Sequence, residues 1–311
     1  MDVVLNITAP IFFLILVGFL GTRYQLLPKE ALPALSRFVL YFALPSVMVT
    51  KISALDLRAV VDLSYMLVYA VGGLVAFALT LLIARIFLKE TWVIATVSGM
   101  GAMMPNSSFI GFPILLQYLD DAPAQAFAMA LVVENILFLP VALVLMESVY
   151  HHEPGVGKKI IGNVAKRVAT NPVILSVFVG VMLSLFGLHL PHFMNSSLDL
   201  LAMAAAPSAL VVIGGSLVGV TVQGSKVRTG LVASMKLLLF PMVVFGCLQF
   251  FPQMPTELRI AVLLFAAMPM FSIYPIICGE YGQRSFCAST LMVTTVLSFV
   301  TISSLLYLLH G

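Results

Sequence analysis

Ten stretches of mostly apolar residues follow one another along the chain, at roughly 3–22, 33–52, 63–88, 91–119, 124–147, 170–189, 196–220, 228–251, 258–280 and 285–309. A helix needs about 20 such residues to cross the hydrocarbon core of a bilayer, whereas a barrel strand needs only about 9–11. Backbone inside that core must satisfy its own hydrogen bonds, so long apolar stretches become helices. The chain is expected to be an all-α polytopic membrane protein with ten transmembrane helices. Composition agrees, with 61% of the 311 residues hydrophobic and only 9% charged, against about 25% charged in a soluble domain. The longest hydrophilic stretch is 148–169, which leaves no room for a soluble catalytic domain. No basic run precedes the first apolar stretch, so it reads as a membrane helix and not a cleaved leader.

Cytoplasmic loops carry the excess of Lys and Arg. Alternate loops here separate into two sets. One holds Arg23, Lys29, Arg37, Arg85, Lys89, Lys158, Lys159, Lys166, Arg167, Lys226, Arg228 and Arg284; the other holds Lys51, Arg58 and Arg259. Twelve against three places both termini outside, in the extracytoplasmic space, and predicts an even number of spans in the inner (plasma) membrane. Lys236, the sixteenth basic residue, falls inside the eighth span. The net charge of +3 is too small to suggest a nucleic-acid partner. Cys247, Cys278 and Cys287 all lie in apolar stretches and form no pairing pattern.

A shift of 162 residues superposes the chain on itself. It pairs Pro10 with Pro172, Gly18 with Gly180, Ala43 with Ala205, Pro45-Ser46 with Pro207-Ser208, Phe109 with Phe271 and Pro113-Ile114 with Pro275-Ile276. Five spans per half is an odd number, so the halves, 1–147 and 170–311, are expected to be oppositely oriented around a cytoplasmic loop at 148–169. Inverted five-helix repeats of this kind are characteristic of secondary transporters.

The fourth stretch carries its most helix-hostile residues in its middle, in MMPNSSFIGFP (103–113). Its 29 residues would make a rod of roughly 43 Å at about 1.5 Å per residue, longer than a core of about 30 Å. A break at Pro105–Ser108 explains length and composition together. Proline lacks an amide and crowds the carbonyl four residues back, while Asn106, Ser107 and Ser108 are N-cap residues for a second half-helix. The repeat partner, Met268-Pro269-Met270-Phe271-Ser272-Ile273-Tyr274-Pro275, has two prolines and a Ser272 that could cap. Irregular backbone at membrane depth survives only inside protein or beside a wet cavity. Two breaks at matching positions would therefore meet near the midplane, with amide ends suited to an anion and carbonyl ends suited to a cation. Pro105, Pro113, Pro269 and Pro275 mark the breaks. Asn106, Ser107, Ser108, Gly111, Phe271, Ser272 and Tyr274 are the candidate substrate-binding residues.

Other polar residues sit in the spans. Glu134, followed by Asn135, lies near the middle of the fifth, where an acid is costly and a functional candidate by default; it reads either as a proton-coupling group or as a hydrogen-bonded structural acid facing the bundle. Lys236 could attract an anion, pair with Glu134 or snorkel to the inner surface. Gln117 and Tyr274 could line the cavity or pack, and Lys51 and Asp56 sit at an outer helix end. Gly215-x-x-x-Gly219 permits close helix packing, in a scaffold contact or a dimer.

With these residues in view the chain resembles the auxin efflux carrier family, which includes plant auxin exporters and bacterial permeases for malate or malonate. The matching stretches are LSRFVLYFALPS (35–46), PNSSFIGFP (105–113), KLLLFP (236–241) and the Pro269–Pro275 segment. The resemblance implies a bacterial permease with the ten-helix fold of bile acid:sodium symporters, in which spans 1, 2, 6 and 7 form a scaffold and spans 3–5 and 8–10 a moving transport core. It implies an organic-anion substrate where spans 4 and 9 cross, and a homodimer. Asn106 falls on the family's crossing asparagine, whereas the second crossing offers Met270, Phe271 and Ser272 in place of one.

The expected function is alternating-access transport of a small organic anion such as a dicarboxylate, with no cofactor and with H+ or Na+ as possible coupling ion. The alternative is an ion channel or an inorganic-ion transporter using the same crossing. Enzyme readings lack their residues: there is no His-Glu-x-x-His, His151-His152-Glu153 has no third ligand at suitable spacing, and no Asp lies in an apolar core. No metal site is expected, and clustered membrane acids for a Na+ cage are missing. Without a Gly-x-x-x-x-Gly-Lys loop, the energy would come from a gradient.

Overall fold

The computed structural model describes residues 2–54, 61–119, 124–150, 162, 166, 169–188, 190–219 and 225–310. Helices follow in the order α1 (Asp2–Arg23), α2 (Lys29–Ser53), α3 (Leu63–Ile86), α4 (Trp92–Met103), α5 (Phe112–Tyr118), α6 (Ala124–Tyr150), α7 (Pro172–Leu185), α8 (His192–Ser216), α9 (Lys226–Leu248), α10 (Thr256–Ala267), α11 (Tyr274–Gly279) and α12 (Arg284–His310). Six of them, α2, α3, α6, α8, α9 and α12, are long and apolar enough to cross a membrane. The fourth and ninth expected spans are each split, into α4 with α5 and α10 with α11. Asp56, Arg58, His151-His152-Glu153 and most of 148–169 lie outside the described residues.

Polar side chains set the helix starts. Asp62 accepts from the Tyr65 amide at the head of α3 (2.9 Å) and Thr91 from Ile94 at α4 (3.3 Å). Asn171 accepts from Val173 and Ile174 ahead of α7, with Pro172 in the first turn. Each satisfies an amide that the helix itself leaves free.

Four helical turns are widened by one residue: Val39–Ala43 in α2, Ser107–Gly111 ahead of α5, Glu134–Phe138 in α6 and Met235–Leu239 in α9. In each, the amide just past the turn reaches back five residues; Leu139 bonds to the Glu134 carbonyl and Phe240 to that of Met235. A proline stands next in line every time, at Pro45, Pro113, Pro140 and Pro241. A proline ring collides with the carbonyl four residues back in a regular helix. The wide turn is the local adjustment that lets a membrane helix pass such a ring.

Packing divides the helices into two groups. α1 lies along α8, α2 along α7, and α2 also meets α8. These approaches depend on glycine. A Cβ on Gly18 would collide with the Val211 backbone, one on Gly214 with the Ile15 backbone, and one on Gly180 with the Ile52 side chain beside the Met48 carbonyl. Gly18 and Gly180, the pair matched by the 162-residue shift, each face another helix, Gly18 through its backbone and Gly180 mainly through the Ile52 side chain. Gly215 fits against Thr22 and Leu32, a contact inside this group. Gly219, in the turn after α8, has a φ of +78°, a conformation that favours glycine. In the second group α3 packs on α4 and α9, α4 on α6, α9 on α10 and α12, and α11 on α12. The groups meet where α8 crosses α5 and the Ser107–Gly111 turn, and where α1 meets α5 and α12. Large apolar side chains, among them Phe13, Leu67, Phe178, Phe245 and Val300, face outward, as contact with lipid tails requires.

Candidate functional site

α4 stops because Met104 precedes a proline. Its ψ of 110° is extended, and Met268, before Pro269, is extended likewise at 149°; the ring of the next residue forces both out of the helical region. The two extended stretches pair with each other. The Asn106 amide donates to the Pro269 carbonyl (2.8 Å) and the Phe271 amide to that of Met104 (3.2 Å), and an antiparallel bridge joins Pro105 to Met270. Backbone groups that no helix can serve are thus satisfied across the crossing, with Asn106 only 3% exposed and Met270 fully buried.

The Asn106 side chain closes the same junction. Its Oδ1 accepts from the Phe109 amide (3.2 Å), which makes it the cap of the following turn, and its Nδ2 donates to Ser272 Oγ (2.9 Å). Ser272, the expected cap of α11, caps nothing and accepts from Asn106 instead. Pro105 and Pro269 stand in the breaks themselves. Pro275 stands in the first turn of α11, where a missing amide costs no hydrogen bond, whereas Pro113 follows directly on the widened Ser107–Gly111 turn that accommodates its ring. Gly111 admits the Phe265 ring, which a Cβ would meet at 2.7 Å. Phe271 is buried against Tyr274, and the Tyr274 hydroxyl donates to the Val97 carbonyl (2.9 Å), so Tyr274 fastens α11 to α4. Ser108 is half-buried.

Glu134, on the widened turn of α6, reaches the first break. Its Oε1 accepts from Ser107 Oγ (2.5 Å) and from the Tyr69 hydroxyl of α3 (2.7 Å). Lys236, on the widened turn of α9, reaches the second. It is fully buried, donates to the Ala266 carbonyl near the end of α10 (3.0 Å) and lies over the Phe240 ring at 4.3 Å. Snorkelling is thereby overturned. The ion pair found among the described residues joins Arg228 to Glu90 (3.2 Å), not Glu134 to Lys236. Asn135 does not join them; its Nδ2 bonds back to the Leu131 carbonyl, and Gln117 is exposed.

Tyr69 is the residue that sequence reasoning missed. It packs against Phe138 (5.4 Å), on the same wide turn as Glu134, and against Phe240 (5.8 Å), the residue directly after the wide turn of Lys236. Gly72 and Gly73 of α3 make room for these rings: a Cβ on Gly73 would overlap Phe138, and one on Gly72 would crowd Val244 and Phe240. A tyrosine inside a 24-residue apolar helix carries no signal in one dimension. Among the described residues, no three His, Cys, Asp or Glu side chains gather to hold a metal.

Known proteins share this chain's sequence over most of its length. A family model described as "Membrane transport protein" matches residues 3–307. The chain is 28% identical over 308 residues to a protein of Rhizobium meliloti (strain 1021) named "Putative malonate transporter", spanning 98% of this chain and 96% of that one. It is 23% identical over 301 residues to the uncharacterized transporter YfdV of Escherichia coli (strain K12), spanning 95% and 94%. It is also 26% identical over 247 residues to the lysosomal cholesterol signaling protein of Mus musculus, covering 75% of this chain but 28% of that one.

Proposed function

The chain belongs to the membrane transport protein family, the auxin efflux carrier family that its motifs resemble, and on that premise we propose that it carries a small organic anion across the inner membrane by alternating access. The observation that carries this reading is the paired break. Two interrupted spans meet through backbone hydrogen bonds at Asn106–Pro269 and Met104–Phe271. The carbonyl ends of α4 and α10 and the capped turn after Asn106 converge on one buried point. Asn106, Ser107, Ser108, Gly111, Phe271, Ser272 and Tyr274 surround it and form the proposed binding region.

The proposed moving parts are the two packing groups. α1, α2, α7 and α8 form the scaffold; α3–α6 and α9–α12 form the core, which carries the crossing past it. The glycine contacts at Gly18 and Gly214 keep the scaffold rigid, since backbone-to-backbone approaches tolerate little sliding. On this reading the chain makes ten spans, the fourth and ninth broken, in two inverted halves. A malonate-sized dicarboxylate is the proposed substrate class, suggested by the name of the Rhizobium meliloti relative.

Reconstitution tests the reading. Proteoliposomes loaded with unlabelled malonate or malate should take up labelled malonate by counterflow. Absence of exchange for malonate, malate, succinate and an auxin-like carboxylate would overturn it.

A further inference from the structure

Each break is tethered to one buried charge. Glu134 holds the first through Ser107, and Lys236 holds the second through the Ala266 carbonyl. Both charges sit on a proline-widened turn of a neighbouring helix. As ionised groups they sum to zero beside a site proposed to take an anion. Adding one proton to Glu134 leaves the Lys236 ammonium uncompensated, and the pair then sums to +1.

Resting on the transport reading above, we propose that Glu134 carries a co-transported proton, and that proton and anion bind together. The titratable and charged groups facing Glu134 are Tyr65 and Tyr69 from α3 and Lys236 from α9. The turn at Ser107 and the rest of α6 around it contribute none. Both hydroxyl donors fall on Oε1, which leaves Oε2 to take the proton. The step balances simply: an O–H bond forms at Oε2 with a proton delivered by water on one side, and breaks to water on the other, with nothing oxidised or reduced.

Ser107 links this step to the crossing. An ionised carboxylate is the stronger acceptor and keeps the Ser107 hydroxyl committed to it. A neutral carboxyl accepts more weakly, and the hydroxyl at the break is then available to an anion. Charge and hydrogen bonding thus act in the same direction. By linkage, the proton raises anion affinity and the anion raises proton affinity by the same factor. The Lys236 ammonium stays where it is in both states, held by a carbonyl and a ring face that both favour a cation.

Proteoliposomes test this with labelled malonate. An inwardly directed pH gradient should drive accumulation by the native protein, whereas a Na+ gradient alone should not. In Glu134→Gln, counterflow should persist while pH-driven accumulation falls at least about tenfold, the loss of roughly 1.4 kcal/mol of coupling. Full pH-driven accumulation by Glu134→Gln would overturn the proposal, as would Na+-driven uptake by the native protein. A second measurement needs no substrate: subtracting the infrared titration of Glu134→Gln from that of the native protein should leave the carbonyl stretch of one protonated carboxyl, because the other twelve Asp and Glu side chains cancel; Tyr69→Phe should leave the same difference. A null difference between the native protein and Glu134→Gln in that region would also overturn it. Absence of counterflow in the native protein would defeat the transport reading, while the infrared result still decides whether Glu134 takes up a proton.

Discussion

Asn106 donates to Ser272 at 2.9 Å, although the two residues stand 166 positions apart in the chain. The bond runs between the two breaks, beside the backbone pairing at Pro105 and Met270. Asn106 therefore has three tasks at once: its amide bonds to Pro269, its Oδ1 caps the next turn and its Nδ2 holds Ser272. A single side chain sets how the two half-spans meet.

Asn106→Ala removes the cap and the cross-break bond together. A lost N-cap costs about 0.5–2 kcal/mol and a lost neutral hydrogen bond about 1 kcal/mol. The variant should lose roughly 1–3 kcal/mol of stability on that basis, and its malonate counterflow should fall by at least about tenfold. Ser272→Ala removes only the acceptor and should be milder on both readouts. Thermal unfolding in detergent and counterflow in proteoliposomes check the ranking; equal effects from the two variants would show that the cap contributes nothing.

Much of this junction is legible in the sequence. Proline, asparagine and two serines inside an apolar stretch do not suit a continuous rod, and the 162-residue shift matches that stretch to a second one. The same shift matches Gly18 to Gly180, and both turn out to sit against a facing helix. Glu134 and Lys236 stand out because charge in lipid is costly. Their partners do not stand out. Tyr69 looks like any core aromatic, and the Ala266 carbonyl has no sequence signature. Ser272 reads as a cap from its position after a break, yet a hydroxyl can be claimed by a residue 166 positions away. The wide turns escape notice for another reason: a proline inside a helix signals a disturbance but not its form.

The glycines of the membrane helices are expected to be sharply unequal. Gly18→Ala and Gly214→Ala place a methyl group against the backbone of the facing helix, where no rotamer can move aside. Such overpacking costs about 1–3 kcal/mol. A methyl group added at Gly230 or Gly246 would meet nothing within 4 Å. Alanine there should raise stability by up to about 1 kcal/mol, the helix propensity difference. Melting temperatures of the four variants settle it, and a uniform response would deny that α1 and α8 touch.

Orientation is open to chemical labelling. Glu30 lies in the first turn of α2 and Gln253 in the loop before α10, both exposed. The orientation expected from the basic residues puts the first inside and the second outside. In a cysteine-free background, Gln253→Cys should react with a membrane-impermeant maleimide in intact cells, and Glu30→Cys only after lysis. The reverse pattern would invert the protein and move both termini to the cytoplasm.

The widened turn under Glu134 makes the last prediction the most selective. Pro140 stands two residues beyond that turn, and its ring is what a regular turn could not pass. Pro140→Ala restores an amide and removes the collision, so the helix is free to tighten to 3.6 residues per turn. Losing one residue from the wide turn rotates Glu134 relative to Phe138 and Leu139 by about 100°. The carboxyl would then leave Tyr69 and Ser107. Helix propensity favours alanine over proline by about 3 kcal/mol, so the melting temperature should hold or rise. Accumulation driven by a pH gradient should nevertheless fall by about tenfold, a loss of coupling of about 1.4 kcal/mol. Pro241→Ala offers the parallel case for Lys236. A variant that is more stable and still fully coupled would mean that the turn is held open by packing of Phe138 and not by the proline.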